Sequence, residues 1–283
     1  MAERTTLGDF VLGLHGLAIL RNLWIDPASI KAWAKSIAEV AVKIDEEPLS
    51  SPFHAEERTV SAGYAEWAAT YDGPGNPVLL AEEPVVNNIV AGYPVGRALD
   101  AACGTGRHAA HLSSLGHEVV GVDISTEMLE LASAKAPGAR FEIGDLTALP
   151  LPDASVDLAV CAMSLTHLAD LGPPVRELAR VVRPGGHVVI SDVHPQPVSL
   201  GAHASYNRSE PSGGFIRNYI HLHSHYLNAF REAGLLVERC LEPIYGDGEL
   251  ATLARFEVVP GLAEAAIKGT PIVLIWELVK PAP

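Results

Sequence analysis

Between residues 95 and 192 the chain alternates short apolar runs with stretches that carry apolar side chains at helical spacing. The apolar runs cover residues 95–100, 116–123, 141–146, 156–163 and 187–192. Each run has the length of a β-strand, and the fourth is almost continuously apolar, as strands buried on both faces are. Strands that alternate with helices in this way predict a doubly wound α/β fold with a largely parallel sheet.

The first run ends in a glycine-rich turn that precedes a predicted helix. Residues 98–106 read Ala-Leu-Asp-Ala-Ala-Cys-Gly-Thr-Gly, with Cys103 inside the turn and glycines at Gly104 and Gly106. This order of elements places backbone N–H groups at a helix N-terminus, where a ligand can approach closely. The dinucleotide fingerprint requires glycines at positions 102, 104 and 107, and only position 104 holds one. A nicotinamide-dependent oxidoreductase is therefore disfavoured.

Carboxylates stand at the ends of the first three predicted strands. Asp100 ends the first, Asp123 ends the second, and Asp145 follows the third. In a doubly wound sheet the second strand ends beside the first, so its terminal carboxylate can accept hydrogen bonds from both hydroxyls of a ribose. Each acid alone is equally typical of a solvated strand end, but their joint occurrence favours a ligand site.

Two motifs resemble those of a known family. The Asp-x-x-x-Gly-x-Gly turn at 100–106 resembles motif I of the class I S-adenosylmethionine-dependent methyltransferases. Arg-Val-Val-Arg-Pro-Gly-Gly at 180–186 resembles the ubiquinone/menaquinone-biosynthesis branch of that class, methyltransferase type 11. The resemblance is close over residues 60–195 and looser up to residue 280. It implies a Rossmann-like seven-stranded sheet with helices on both faces, and S-adenosyl-L-methionine as the cofactor.

The resemblance also assigns the cofactor contacts. Asp100 would reach the methionine ammonium, Asp123 the ribose hydroxyls, and Asp145 the adenine edge. The remaining members of the set line the turn, flank the adenine ring or lie under the methionine part. The complete predicted cofactor set is Tyr71, Asp100, Cys103, Gly104, Gly106, Asp123, Ile124, Met128, Asp145, Leu146 and Cys161.

The chain divides into three predicted parts: a helical appendage at 1–57, a lid segment at 58–85, and a methyltransferase core at 86–283. In the appendage, apolar positions at helical spacing run from Leu7 to Ile25, and a second helix begins at Asp26-Pro27. Trp24 and Trp33 are large apolar side chains of the kind that interfaces use. The two helices are therefore expected either to pack on the core of the chain or to form a homodimer.

The lid segment carries three aromatic side chains with helical spacing. Tyr64, Trp67 and Tyr71 stand at i, i+3 and i+7, which places them on one face of a helix. The resemblance implies that this face reaches across the cofactor, with Tyr64 and Trp67 against the acceptor. A sulfonium beside an aromatic face gains cation–π attraction. The alternative is that the face belongs to the ordinary core.

After the fifth strand, glycines and prolines interrupt the core pattern, and the resemblance implies a substrate cap inserted at 197–223. Ser224 is predicted to cap a helix that runs to Ala233. Residues 235–243 and 271–280 are predicted to supply the last two strands.

Candidate catalytic residues follow the fourth and fifth strands, where ligands bind in such sheets. His167 and His194 titrate near neutrality, so either can remove a proton from an acceptor, and His194 is preferred because the cap begins beside it. Asp192 is predicted to orient His194 or to act itself. A structural hydrogen bond is the alternative role for His167.

Three histidines alternate in the cap, at His221, His223 and His225. Alternate residues share a face of a strand, and such a run can bind a metal. Ser224 is expected to turn the chain into a helix there, and no neighbouring carboxylate or cysteine completes a ligand set. We therefore predict no metal, and assign His221 and His223 to acceptor binding.

Composition narrows the partners. With 34 acidic and 20 basic residues, the net charge of −14 disfavours nucleic acid as a substrate. No two of the three cysteines have the spacing of a metal-binding pair, and this use of cysteine is typical of a protein in a reducing cytosol. The apolar stretch at 10–20 is too short to cross a bilayer, so a cytoplasmic protein without membrane attachment is expected.

The sequence therefore predicts methyl transfer from S-adenosylmethionine to a small organic acceptor, in specialised (secondary) metabolism. Quinone-ring methylation in cofactor biosynthesis is the alternative within the class. A nicotinamide-dependent oxidoreductase and a non-catalytic ligand-binding protein are the alternatives outside it.

Overall fold

The structure is a computed structural model that describes residues 5–52, 55–73, 75–206, 213–253 and 258–282. Seven strands form the main sheet, in the order β4-β3-β2-β5-β6-β10-β9. The strands are β2 (Arg97–Ala101), β3 (Glu118–Asp123), β4 (Arg140–Ile143), β5 (Val156–Ala162), β6 (Val182–Val193), β9 (Leu236–Leu241) and β10 (Val273–Val279). The first five are parallel, and β10 runs antiparallel between β6 and β9. The predicted seven-stranded α/β fold is confirmed.

Helices cover both faces of this sheet. The chain contains α1 (Leu7–Asn22), α2 (Pro27–Val42), α3 (Val60–Trp67), α4 (Pro77–Val90), α5 (Arg107–Ser114), α6 (Thr126–Lys135), α7 (Gly172–Val181), α8 (Pro195–Ser199), α9 (His223–Glu232), α10 (Asp247–Leu253) and α11 (Leu262–Ile267). Apolar side chains of α4 and α5 are buried with Ala98 and Leu158, whereas those of α7 and α9 are buried with Leu99 and Ala159. Neighbouring strand residues thus bury on opposite faces, as the pleat requires. No described helix has the length and apolar content needed to cross a bilayer.

The N-terminal helices pack on the chain itself. Helix α1 contacts α2 and α11, and Val11, Ala18 and Leu262 are buried between them. The predicted start of α2 is confirmed, because Asp26 accepts hydrogen bonds from the first backbone N–H groups of that helix. The predicted apolar stripe is wrong at its end: α1 stops at Asn22, and Trp24 beyond it is 91% exposed.

The helix after the cap also begins differently from the prediction. Leu222, not Ser224, is the N-cap residue of α9, and its extended backbone provides no side-chain cap. His223 and His225 are therefore both helical. The last two strands lie within the predicted intervals at 235–243 and 271–280.

A second, smaller sheet joins the lid to the cap. Its strands are β1 (Glu56–Arg58), β7 (Ala204–Tyr206) and β8 (Gly214–Ile216), in the order β1-β8-β7. Helix α3 follows β1 directly and approaches β8 so closely that a Cβ at Gly63 would lie 2.5 Å from Ile216. We call residues 55–67, 204–206 and 213–217 the lid–cap unit. They are distant in sequence but pack as one body.

Candidate functional site

The glycine turn between β2 and α5 shows which of its glycines leaves room for a ligand. Gly104 has φ +52°, and no atom lies within 4 Å of a Cβ built on it. Gly106 has φ +77°, but a Cβ there would lie 2.8 Å from the Cβ of Ala132 on α6. Gly104 therefore borders open space, whereas Gly106 permits close packing of α5 on α6.

Two carboxylates hold this turn. Asp100 is buried, and its Oδ2 accepts a hydrogen bond of 2.8 Å from the backbone N–H of Ala109 in the first turn of α5. Asp123 accepts hydrogen bonds from the backbone N–H groups of Gly104 (2.8 Å) and Ser125 (2.9 Å). Burial raises the pKa of Asp100 to about 6 and also raises that of Asp123, because charging either group in this environment costs hydration.

The other predicted cofactor residues occupy varied positions around the turn. Ile124 is half exposed beside Asp123, whereas Met128 is fully buried. Asp145 lies beyond the end of β4 rather than in it, and accepts hydrogen bonds from the amide and hydroxyl of Thr147. The rest are buried or partly buried: Cys103 near α6, Leu146 against the main core, and Cys161 in β5, 3.1 Å from the hydroxyl of Ser164.

The aromatic side chains of the lid contact one another as their spacing predicts. The ring of Trp67 lies 6.0 Å from that of Tyr64 and 5.1 Å from that of Tyr71, although α3 ends at Trp67. Trp67 also stacks on Tyr206 of the cap at 5.4 Å. Burial raises the pKa of Tyr64 well above its usual value, and Asp123 and Asp192 add to that shift. Carboxylates of both β3 and β6 thus contribute to the raised pKa of Tyr64.

The lid connects directly to the turn after β5 through His167. The hydroxyl of Tyr64 lies 2.7 Å from Nε2 of His167, and Nδ1 of His167 lies 2.9 Å from the backbone carbonyl of Arg217. A carbonyl only accepts, so Nδ1 carries the proton and Nε2 offers its lone pair to the Tyr64 hydroxyl. Burial lowers the pKa of His167 to about 4, which keeps the ring neutral.

Asp192 does not orient His194, contrary to the prediction. Its carboxylate is fully buried and accepts hydrogen bonds from the hydroxyl of Tyr226 (2.8 Å) and the backbone N–H of Val193 (3.1 Å). Burial raises its pKa to about 7. The predicted partner is wrong because His194 lies beyond the end of β6, as the N-cap residue of α8, whereas the carboxylate of Asp192 within β6 faces Tyr226 of α9.

His194 pairs instead with Glu242, at the end of β9. Its Nδ1 accepts the backbone N–H of Gln196 at 3.1 Å, and its Nε2 lies 3.0 Å from Oε1 of Glu242. His223 reaches the same oxygen at 3.1 Å, whereas Nε2 of His221 bonds to the carbonyl of Leu168. Both ring nitrogens of His194 are thus hydrogen-bonded. Its lone pair on Nδ1 accepts a backbone N–H, whereas the lone pair on Nε2 of His167 accepts a side-chain hydroxyl.

Two groups of residues near the glycine turn escaped the sequence analysis. Asp72, at the end of the lid, accepts a hydrogen bond from Thr105 (2.9 Å) and forms an ion pair with Lys135 (2.6 Å). We call these three residues the lid latch. Glu82 of α4 is buried among Arg107, His108 and Ser191.

Comparisons with known proteins find methyltransferases. Residues 99–190 match the family Methyltransf_11, described as a methyltransferase domain. The chain is 31% identical over 142 residues to malonyl-[acyl-carrier protein] O-methyltransferase of Yersinia pestis. The aligned region covers 50% of this chain and 52% of that protein. The chain is 34% identical over 146 residues to 27-O-demethylrifamycin SV methyltransferase of Amycolatopsis mediterranei, covering 49% and 53%.

A further relative and a solved structure are also methyltransferases. Over 110 residues the chain is 41% identical to demethylmenaquinone methyltransferase of Deinococcus radiodurans, covering 37% of this chain and 46% of that protein. The chain spans about half the length of these curated relatives. The crystal structure of an S-adenosylmethionine-dependent methyltransferase from Mesorhizobium loti aligns with a TM-score of 0.51 and 26% identity, over 70% of this chain and 97% of that one.

Proposed function

We propose that this chain, which carries a class I S-adenosylmethionine-dependent methyltransferase domain, transfers the methyl group of that cofactor to a small organic acceptor in specialised metabolism. The observation that carries the proposal is the contact between Tyr64 of the lid and His167 of the turn after β5. It joins the lid–cap unit to the sheet at the edge where ligands of doubly wound folds bind.

The residues of the glycine turn fit S-adenosylmethionine. The space beside Gly104 is open, so a ligand can approach its backbone. In this proposal Asp100 binds the methionine ammonium, and Asp123 accepts hydrogen bonds from the ribose hydroxyls. Ile124 is half exposed and covers one face of the adenine. Bound there, the cofactor supplies a methyl group activated by a positively charged sulfur.

The size of the acceptor follows from the cover over the site. The lid–cap unit is held by the bidentate ion pair of Arg217 with Glu57, at 2.7 Å for both contacts, and by the stacking of Trp67 on Tyr206. A unit of this kind above the cofactor would favour a small molecule, which can be enclosed and shielded from water, over a macromolecular surface. The name of the rifamycin relative supports an acceptor from specialised metabolism.

His167 is the proton acceptor that the geometry favours, and His194 is not. The lone pair of His167 Nε2 already accepts a hydroxyl proton in a hydrogen bond, from Tyr64. An acceptor hydroxyl that replaces Tyr64 would meet the same lone pair. Its proton would move to Nε2 as the acceptor oxygen bonds to the methyl carbon and the carbon–sulfur bond breaks, with the electron pair of that bond staying on sulfur. The buried and unpartnered hydroxyl of Thr166, the preceding residue, is available to orient that acceptor.

The low pKa of His167 changes the expected pH dependence. Because burial lowers this pKa to about 4, the ring is neutral and competent throughout roughly pH 6 to 9. We therefore expect no rise in rate across that range from His167. His167→Gln should lower kcat by about 10²-fold with unchanged cofactor affinity. His111 contacts the backbone carbonyl of Asn87 on α4 rather than the site, so His111→Ala is the control and should retain the wild-type rate.

The acceptor is identified by incubating the protein with cell extract and S-adenosylmethionine that carries a labelled methyl group. Mass spectrometry should find the label in a small molecule. Label in protein or nucleic acid, or no transfer at all, would contradict the proposal. Label on a quinone ring would select the second candidate function, which the similarity to demethylmenaquinone methyltransferase supports.

The N-terminal helices are part of the same proposal as a structural appendage that also pairs two copies of the chain. Leu20, Trp24 and Ile25 are more than two-thirds exposed at the tip of the α1–α2 hairpin. A dimer should become a monomer on Trp24→Ser substitution, as measured by sedimentation equilibrium. A monomeric wild-type protein would leave the helices with the structural role alone.

A further inference from the structure

Three side chains that the proposed reaction does not use converge at one edge of the main sheet. They are His194, before α8, His223, the first residue of α9, and Glu242, after β9. Nε2 of each histidine lies 3.0–3.1 Å from Oε1 of Glu242, and the three atoms lie within 4.8 Å of one another. Among the residues that the structure describes, these three have the spacing of potential metal ligands.

We propose that His194, His223 and Glu242 bind a divalent transition-metal ion, Zn²⁺ by preference. Two imidazole nitrogens and a carboxylate oxygen are the ligand set of zinc sites that keep a fourth position open. The ring centroids of the two histidines lie 5.5 Å apart and are inclined at 64°, so both edges point toward the same oxygen. The side chains are 8%, 38% and 48% exposed, which leaves a route for the ion to enter.

The position of the three residues gives the ion a structural task. His194 directly precedes the segment that leads into the cap, and His223 directly follows it. Glu242 directly follows β9, so the main sheet fixes its position. A metal ion bound by all three residues would therefore connect both ends of the cap to the sheet. A clip of this kind restrains the long loop between its ligands, and such restraint grows with loop length.

The ligands of the proposed site are not adjacent in sequence. The run at His221, His223 and His225 has no carboxylate beside it along the chain. The structure separates these histidines, because His221 bonds to Leu168 and only His223 turns toward Glu242. The remaining ligands come from positions 29 residues before and 19 residues after His223, as residue numbers 194 and 242 show.

The ring proton of His194 must move before a metal can bind to Nε2. Without metal, Gln196 donates its N–H to Nδ1 of His194, so the ring proton lies on Nε2 and is donated to Glu242. A metal on Nε2 requires that proton to leave and Nδ1 to carry one instead. Gln196 is exposed at the start of a five-residue helix, so its N–H can bond to water in exchange.

The test is direct metal binding to the full chain purified without chelator or affinity tag. Zn²⁺ titrated calorimetrically should bind at one equivalent, and Co²⁺ should produce the visible absorption of a tetrahedral site. His223→Ala and Glu242→Gln should each weaken binding by more than the 10- to 100-fold that loss of an outer partner costs. His225→Ala is the matched control from the same run and should bind as the wild type does.

The cap provides a readout that does not depend on activity. Zn²⁺ should slow proteolysis within the cap of the wild type and of His225→Ala, and have no effect on His223→Ala. Stoichiometric binding that His223→Ala and Glu242→Gln leave unchanged would overturn the site. Absence of binding by a folded wild-type chain at micromolar Zn²⁺ would also overturn it, and the three residues would then form a hydrogen-bonded cluster only.

Discussion

Replacing Glu82 with glutamine should destabilise the fold more than any other conservative change near the glycine turn. Glu82 has no exposed surface, and its carboxylate accepts hydrogen bonds from Arg107 (2.6 Å), His108 (3.0 Å) and Ser191 (2.8 Å). Burial alone would raise the pKa of Glu82, but His108 and Arg107 outweigh it and lower the pKa to about 2. The carboxylate is therefore charged at neutral pH.

The size of the expected loss of stability follows from Arg107, the ion-pair partner that the substitution leaves in place. The Arg107 side chain is only 11% exposed, so Glu82→Gln leaves a buried cation without its counter-charge. Removing one partner of a buried ion pair costs about 3–5 kcal/mol. Glutamine keeps the volume and one acceptor oxygen, which places the expected loss at the lower end, about 3 kcal/mol. At roughly 2–4 °C per kcal/mol, Tm should fall by about 6–12 °C.

The assay is urea unfolding at several pH values, with Glu83→Gln as the control. Glu83 is 45% exposed and 3.8 Å from Arg107, so its loss should change stability by no more than about 0.5 kcal/mol. Because folding lowers the pKa of Glu82, its stabilisation is present above the unfolded pKa of about 4.3 and declines as pH falls toward 2. The difference between wild type and Glu82→Gln should therefore shrink from pH 7 to pH 3. Equal stabilities of Glu82→Gln and Glu83→Gln at pH 7 would refute the reasoning.

Three further predictions concern the cofactor side of the site. Asp123→Asn should weaken S-adenosylmethionine binding by about 1.5–3 kcal/mol in calorimetry, and unchanged affinity would contradict the ribose assignment. Burial raises the pKa of Asp100 to about 6, so it becomes protonated below that pH, and affinity for the cationic cofactor should fall there; constant affinity from pH 8 to pH 5 would contradict its contact with the ammonium. Gly106→Ala should mainly lower stability, because its Cβ would meet Ala132 at 2.8 Å, whereas Gly104→Ala should mainly lower cofactor affinity. Equal effects of the two alanines on both quantities would show that the turn does not divide these roles.

The strands and the glycine turn were predictable because their signals are local. An apolar run bounded by turn residues specifies a buried strand wherever it stands, and Asp100 follows such a run directly. The start of α2 was predictable for the same reason, since Asp26 caps its own helix. The start of α9 was not, because Leu222 begins that helix without a side-chain cap and Ser224 offered a misleading local signal.

Contacts between distant segments account for what the sequence did not predict in the site. His194 pairs with Glu242, 48 residues away, and nothing in the residues around either one indicates the other. Glu82 meets Ser191 across 109 residues, and nothing in the residues around either one indicates this contact. The choice between His194 and His167 also depends on tertiary structure, because the partners of their ring nitrogens come from distant parts of the chain.

The predicted lid segment contacts the sheet at two separate places. Asp72 accepts a hydrogen bond from Thr105 within the glycine turn, whereas the hydroxyl of Tyr64 bonds to His167 in the turn after β5. Strand β1, just before the lid, pairs with the cap strand β8. Because both contacts are made by one short segment of the chain, we expect movement of the lid away from His167 to strain its contact with Thr105 as well.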